Sequence, residues 1–190
     1  MSAAERKTTI ADAALSLLAT TGARGLTHRA VDALAGLPAG STSSSCRTRL
    51  DLLTLALQRH AQLHLDELQA DAVELAHAPP SLPRFIEALT DRVMAWLTPE
   101  HRPRNVAQFE LFLIASREPS LQHVVLTLHQ RFVQATAAAL TQAGVADVDT
   151  VARGLIATVD GLLIAQAAQT SPPPERQACR AILMRAVAAG

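Results

Sequence analysis

Between Thr27 and Arg49 the chain gathers hydroxyl and guanidinium side chains: Thr27, Arg29, Ser41, Thr42, Ser43, Ser44, Ser45, Arg47 and Arg49. Such groups donate hydrogen bonds to phosphate oxygens, and serine and threonine also reach base edges. The segment that must position them is GLTHRAVDALAGLPAGSTSSSCRTRLD, from Gly25 to Asp51. It reads as a short helix, a Gly-Leu-Pro turn, a second very short helix and the capped start of a long third one. Thr27 caps His28 to Ala35, with Ala30, Val31 and Leu34 facing inward and Gly36 at the C-terminus. Pro38 suits the first turn of the next helix, which extends only to about Ser45. Thr48 and Asp51 then form a second capping-box start. This is the pattern of a helix-turn-helix, which sets one helix end into the DNA major groove. The alternative is a helical hairpin used only for packing. The serine run would then be a polar surface that tolerates small residues.

Other candidate groups lie beyond this segment. His60, His64, Glu67 and Asp71 recur about four residues apart along one side of a helix. Histidines at i and i+4 can share a metal ion. A solvated face and the polar edge of a pocket are the competing readings, and with no third ligand cluster no metal is expected. His64 lies beside Ala61 and Leu68 on the inward side. Trp96, Phe109, Phe112 and Phe132 are four of only five aromatic residues, all in the later part of the chain. They are core or pocket wall, with Gln108, Glu110 and His123 as candidate polar ends. The expected ligand pocket is therefore His64, Trp96, Gln108, Phe109, Phe112, His123 and Phe132. Arg47 would lower the thiol pKa of Cys46, and burial would oppose that.

Nine helices and no strand are expected, so the fold class is all-α. Ser2 and Glu5 make a capping box, and Ile10, Ala13, Ala14, Leu17 and Leu18 a helical stripe ending at Gly22. The long helix that starts near Thr48 runs to about Ala76. Pro79-Pro80 marks a boundary, after which Ser81 opens a helix with Phe85, Ile86, Val93 and Trp96 on one side. A sixth helix carries Val106, Phe109, Phe112 and Leu113; the seventh runs from Ser120 to Gly144, the eighth from Asp147 to Thr170. The ninth follows Pro172-Pro173-Pro174. The expected division is a three-helix head at 1–50 and a larger helical body at 51–190.

Composition narrows the classes further. Nearly half of the 190 residues are apolar, enough for a core without disulfides or metal. Residues 1–60 hold seven basic against four acidic side chains on a chain of net charge zero, a modest footprint for phosphate contact. No uncharged apolar run is long enough to span a membrane, the N-terminus lacks the look of a signal peptide, and two distant cysteines suit a reducing cytoplasm. A cytoplasmic location and no cofactor are expected. An enzyme is disfavoured: paired carboxylates, a nucleophile with its base and a phosphate-cradling glycine loop are all missing.

The order of these pieces resembles the tetracycline-repressor (TetR) family of transcriptional regulators. The segment GLTHRAVDALAGLPAGSTSSSCRTRLDLL is similar to that family's Gly-[Leu/Val]-Thr-x-Arg-x-[Val/Ile]-Ala, a Gly-Val/Leu turn, Gly-[Ser/Thr], an aromatic cluster and a charged residue before Leu-Leu. GLIATVDGLLIA, starting at Gly154, resembles the family's eighth helix. The resemblance implies a homodimer, a palindromic operator in double-stranded DNA and a body that binds a small inducer. It places Thr27, Arg29, Ser41, Thr42, Ser43 and Arg49 where the family contacts DNA. Ser44, Ser45 and Arg47 belong to the same expected surface. The family commonly has Tyr or His and then Phe where this chain has Ser45 and Cys46. The missing bulk puts the rigidity of the third helix in question.

Small residues seven apart, Gly154 and Gly161, let a partner helix approach closely. With Val151, Leu155, Thr158, Leu162 and Ala165 they form one expected half of an isologous four-helix interface. Ile182, Leu183 and Ala186 form the other half; packing within the chain is the alternative. The leading reading is a dimeric repressor released from its operator by a small, mainly apolar inducer. The other is a dimeric helical ligand-binding protein with weakened DNA binding.

Overall fold

The computed structural model describes Met1–Ala188, and among these residues there are nine helices and no strand. They are α1 (Ala3–Gly25), α2 (His28–Leu34), α3 (Ser41–Ser45), α4 (Arg49–Leu75), α5 (Leu82–Trp96), α6 (Arg102–Ala115), α7 (Pro119–Gln142), α8 (Val148–Ala167) and α9 (Arg176–Ala188). No helix among them is long and apolar enough to cross a membrane. The chain divides into two compact units, Met1–Leu63 with Pro103–Leu128, and His64–Arg102 with His129–Gly190.

In the first unit the helix starts follow local chemistry. Ser2 and Glu5 close a reciprocal capping box on α1. The Thr27 hydroxyl accepts from the Ala30 N–H at 3.1 Å at the start of α2. Thr48 and Asp51 exchange hydrogen bonds of 2.9 and 3.0 Å at the start of α4. Gly22 breaks α1 with φ 64° and ψ −169°, a region open in practice only to glycine. Ile10, Ala14, Leu18, Leu26, Val31, Leu52, Leu57, Leu111 and Leu121 are buried in this unit.

Three expectations for these helices are corrected. Leu34 does not face inward: it is 52% exposed, because the buried side of the seven-residue α2 is formed by Val31 and Asp32. The third helix begins at Ser41, after Gly40 at φ 89°, rather than at Pro38, whose carbonyl accepts from Ser41. On α6 the buried positions are Asn105, Ala107, Gln108, Leu111 and Ala115, while Leu113 is exposed. Two amides on the buried side displaced the apolar stripe read from the sequence.

In the second unit α9 packs against both α5 and α8. Ile86, Val93, Leu97, Leu140, Leu155, Leu163, Cys179 and Leu183 are buried there. Arg176 pairs with Glu87 and Asp91, and Arg180 with Glu87, which clips α9 to α5. These pairs are solvent-exposed, so packing contributes more to this contact than charge does.

Candidate nucleic-acid interface and ligand cluster

The head site is built by α2, α3 and the turns beside them. Thr27, Arg29, Ser43, Ser44 and Arg47 are exposed, and Ser41 and Ser45 are partly so. Two of the hydroxyls already have local acceptors. Ser41 donates to the Pro38 carbonyl at 2.6 Å, and Ser44 to the Ser41 carbonyl at 2.8 Å.

Thr42 is corrected. Its side chain is 0% exposed, and its hydroxyl donates to Asp32 Oδ1 at 2.6 Å, so it anchors α3 and does not face DNA. Arg49 is also used differently from the expectation. Its terminal nitrogens donate to the carbonyls of Ala23 and Leu26, closing the turn after α1. A cation at a helix start opposes the helix dipole, and here the main-chain carbonyls supply its negative partner.

Asp32 joins the head site without any mark in the sequence pattern. Its carboxylate accepts from the Gly40 N–H at 2.8 Å, the Thr42 N–H at 2.7 Å and the Thr42 hydroxyl. Burial pushes this carboxyl upward, but the donors of Thr42 and Gly40, with the charge of His28, outweigh it and hold it below the ordinary aspartate range. The Thr48 N–H and hydroxyl hold Asp51 low as well. A carboxyl lowered by folding stabilises the fold fully above its unfolded value near 4, and that contribution is lost as pH falls through the lowered value. Urea midpoints at pH 7 and pH 3 should therefore fall less in Asp32→Asn than in the unsubstituted chain. An identical fall in both would remove Asp32 as a source of acid lability.

Cys46 is buried at the end of α3, and burial, followed by the charge of Asp51, pushes its thiol up; Lys7 acts the other way. Burial thus decides the direction at Cys46, against the depression expected from Arg47.

In the second unit, Trp96 stacks on His64 with ring centroids 4.6 Å apart and planes 17° from parallel. Phe132 meets His64 edge-on at 6.4 Å. The indole N–H donates to Glu67 Oε2 at 2.5 Å, and Arg92 makes a two-pronged pair with Asp71 at 2.6 and 2.7 Å. The stripe His64, Glu67, Asp71 on α4 thus meets α5 side chains, and both carboxylates have protein partners. Among the described residues no group of three or more His, Cys, Asp or Glu is arranged to hold a metal ion. Asp71 and Arg92 also line a cleft of about 340 Å³ with Glu74, Arg84 and Asp91; a neighbouring one of about 280 Å³ is walled by Leu75, Phe85 and Ala139.

The structure thus brings together His64, Trp96 and Phe132 among the expected pocket residues. Gln108, Phe109, Phe112 and His123 belong to the first unit. Phe109 and Phe112 form a T-shaped pair at 6.0 Å, and Gln108 is buried. His123 is corrected: it is exposed, two residues past buried Leu121 and hence on the opposite side of α7. Glu110, a candidate pocket end, instead accepts the Ala23 N–H at 2.9 Å beside Gly22.

On the expected dimer face Val151, Leu155 and Leu183 are corrected. They are buried within the single chain, one turn apart on the inner side of α8 and on α9. Gly154 and Gly161 are exposed with open space where a Cβ would stand. Thr158, Leu162, Ala165, Ile182 and Ala186 are partly exposed, and the Thr158 hydroxyl is satisfied by the Gly154 carbonyl at 2.8 Å.

A family model described as "Tetracyclin repressor-like, C-terminal domain" matches residues 80–189, more than half of the chain. The chain belongs to the TetR family. It is a transcriptional regulator by that membership, in a family whose members bind operator DNA and small ligands. A TetR-family member from Streptomyces coelicolor A3 is similar at 28% identity and TM-score 0.75, covering 96% of this chain and 98% of its own. The multidrug binding protein EbrR complexed with ethidium is similar at 27% identity and TM-score 0.73, covering 97% and 99%. Its complex with malachite green gives 28% identity, TM-score 0.70 and coverage of 96% and 98%. No curated protein gave a significant match.

Proposed function

We propose that this TetR-family chain is a homodimeric repressor that leaves a palindromic operator when a small, mainly apolar ligand binds. The carrying observation is the head: α3 presents Ser43 and Ser44, flanked by exposed Thr27, Arg29 and Arg47, at the exit of a helix-turn-helix. We assign DNA binding to residues 1–50 and ligand binding with dimerisation to 51–190. Arg29 and Arg47 supply phosphate contacts and the serine hydroxyls approach base edges. Gly154, Gly161 and the partly exposed side chains around them form the contact between copies, consistent with open space above both glycines. The His64–Trp96–Phe132 cluster, backed by Glu67 and Asp71, is the ligand site. Stacked rings suit a flat aromatic molecule, and the similar protein EbrR is complexed with ethidium and with malachite green. Release then requires that the ligand bind the DNA-free state more tightly.

The second reading, a dimeric ligand-binding protein with weakened DNA affinity, draws on the short reach of the three serines. Duplexes selected by the protein from a randomised library, titrated at increasing salt, separate the two. Two arginines per head in a dimer predict a slope of log K against log salt of roughly −4. Selection of no sequence would sink the repressor reading and favour the second. Ligand binding is followed without DNA, because ethidium itself intercalates: quenching of Trp96 emission is expected.

A further inference from the structure

The third helix has little reason to hold its shape alone. It is five residues long, and all five are serine or threonine, types that form helices poorly. Its N-cap is Gly40, which has no side chain to accept the first N–H groups. The bulk that the family pattern places at positions 45 and 46 is missing.

What the helix lacks, α2 provides. At its start the Asp32 carboxylate takes three donors, from Gly40 and Thr42, at 2.6–2.8 Å. At its end His28 Nε2 lies 2.8 Å from the Cys46 carbonyl oxygen. A carbonyl only accepts, so this nitrogen carries the proton and donates. His28 and Asp32 stand at i and i+4 on α2, one above the other on the same side. We infer that His28 and Asp32 are positioning residues for DNA reading, a polar clamp on α2 that sets the pose of α3 by holding both of its ends. The inference rests on the head being a DNA reader.

The full-length chain is compared with Asp32→Ala, Asp32→Asn and Thr42→Val, using the duplex selected by the unsubstituted protein and a scrambled duplex of equal length. Asp32→Ala is expected to weaken the selected duplex by roughly tenfold or more. The scrambled duplex should change by less than about twofold, since Arg29 and Arg47 still meet phosphate. Amide exchange over 40–46 should accelerate while that of α8 stays unchanged. Asp32→Asn should recover part of the preference, because its amide oxygen still accepts, and Thr42→Val should reproduce part of the loss. Unchanged preference in Asp32→Ala, or equal loss on both duplexes with unchanged exchange at 40–46, would overturn the clamp. Selection of no duplex by the unsubstituted protein would instead remove the DNA-reading premise, and the clamp's role with it.

Discussion

Trp96→Ala should cost the second unit about 3–5 kcal/mol, the range of a buried large aromatic side chain cut to a methyl. Trp96 is 5% exposed, stacks on His64 and donates its indole N–H to Glu67. Truncation therefore removes ring burial, one face of His64 and a hydrogen bond to a carboxylate together. Trp96→Phe keeps a ring and loses the N–H, so a loss of about 1–3 kcal/mol is expected. Urea denaturation followed by circular dichroism measures both. A truncation costing less than about 1 kcal/mol would mean that the site collapses around the gap. Because the sequence has a single tryptophan, the emission of the unsubstituted protein reports this cluster alone. Dye binding that leaves that emission unchanged would place the ligand elsewhere.

The second large effect is expected at Gly22. Its φ of 64° and ψ of −169° suit glycine alone, and an added Cβ would lie 3.4 Å from Glu110 Oε1. Gly22→Ala should destabilise the first unit by about 1–3 kcal/mol, chiefly through backbone strain. Glu110→Ala clears the side-chain obstacle, so the double variant separates the two causes. If the loss persists there, the backbone is responsible; if it disappears, the carboxylate contact is. A single variant as stable as the parent would show that α1 continues through this point without a break. The Glu110 bond to the Ala23 N–H lies at the same place, so DNA affinity should fall together with stability.

What was legible in the sequence was mostly local. The Ser2–Glu5, Thr27 and Thr48–Asp51 caps each involve partners within three residues, and all were read from spacing. The proline breaks and the nine helices followed from the same short-range rules. Long-range polar pairing was invisible. Asp32 finds Gly40 and Thr42 only because α2 and α3 turn back on each other. Glu110 and Ala23 are 87 residues apart, and Trp96 and Glu67 are 29 apart. Periodicity also misleads when polar residues are inside. Asn105 and Gln108 occupy the buried side of α6; the sequence marks only Gln108 as an inward candidate, and the apolar stripe through Phe109, Phe112 and Leu113 does not coincide with that side. On α8 the apolar stripe was read correctly as a stripe, but Val151 and Leu155 are consumed inside the chain. The exposed side is marked in the sequence by Gly154 and Gly161, seven residues apart.

The hydrogen bonds that grip α3 come from His28 and Asp32 on α2 and end on its two termini. None of them uses the side chains of Ser43, Ser44 or Ser45. Support and vocabulary are thereby carried by different helices. If the serines read bases as proposed, exchanging them for longer residues should change the preferred operator one letter at a time while the helix that displays them stays held.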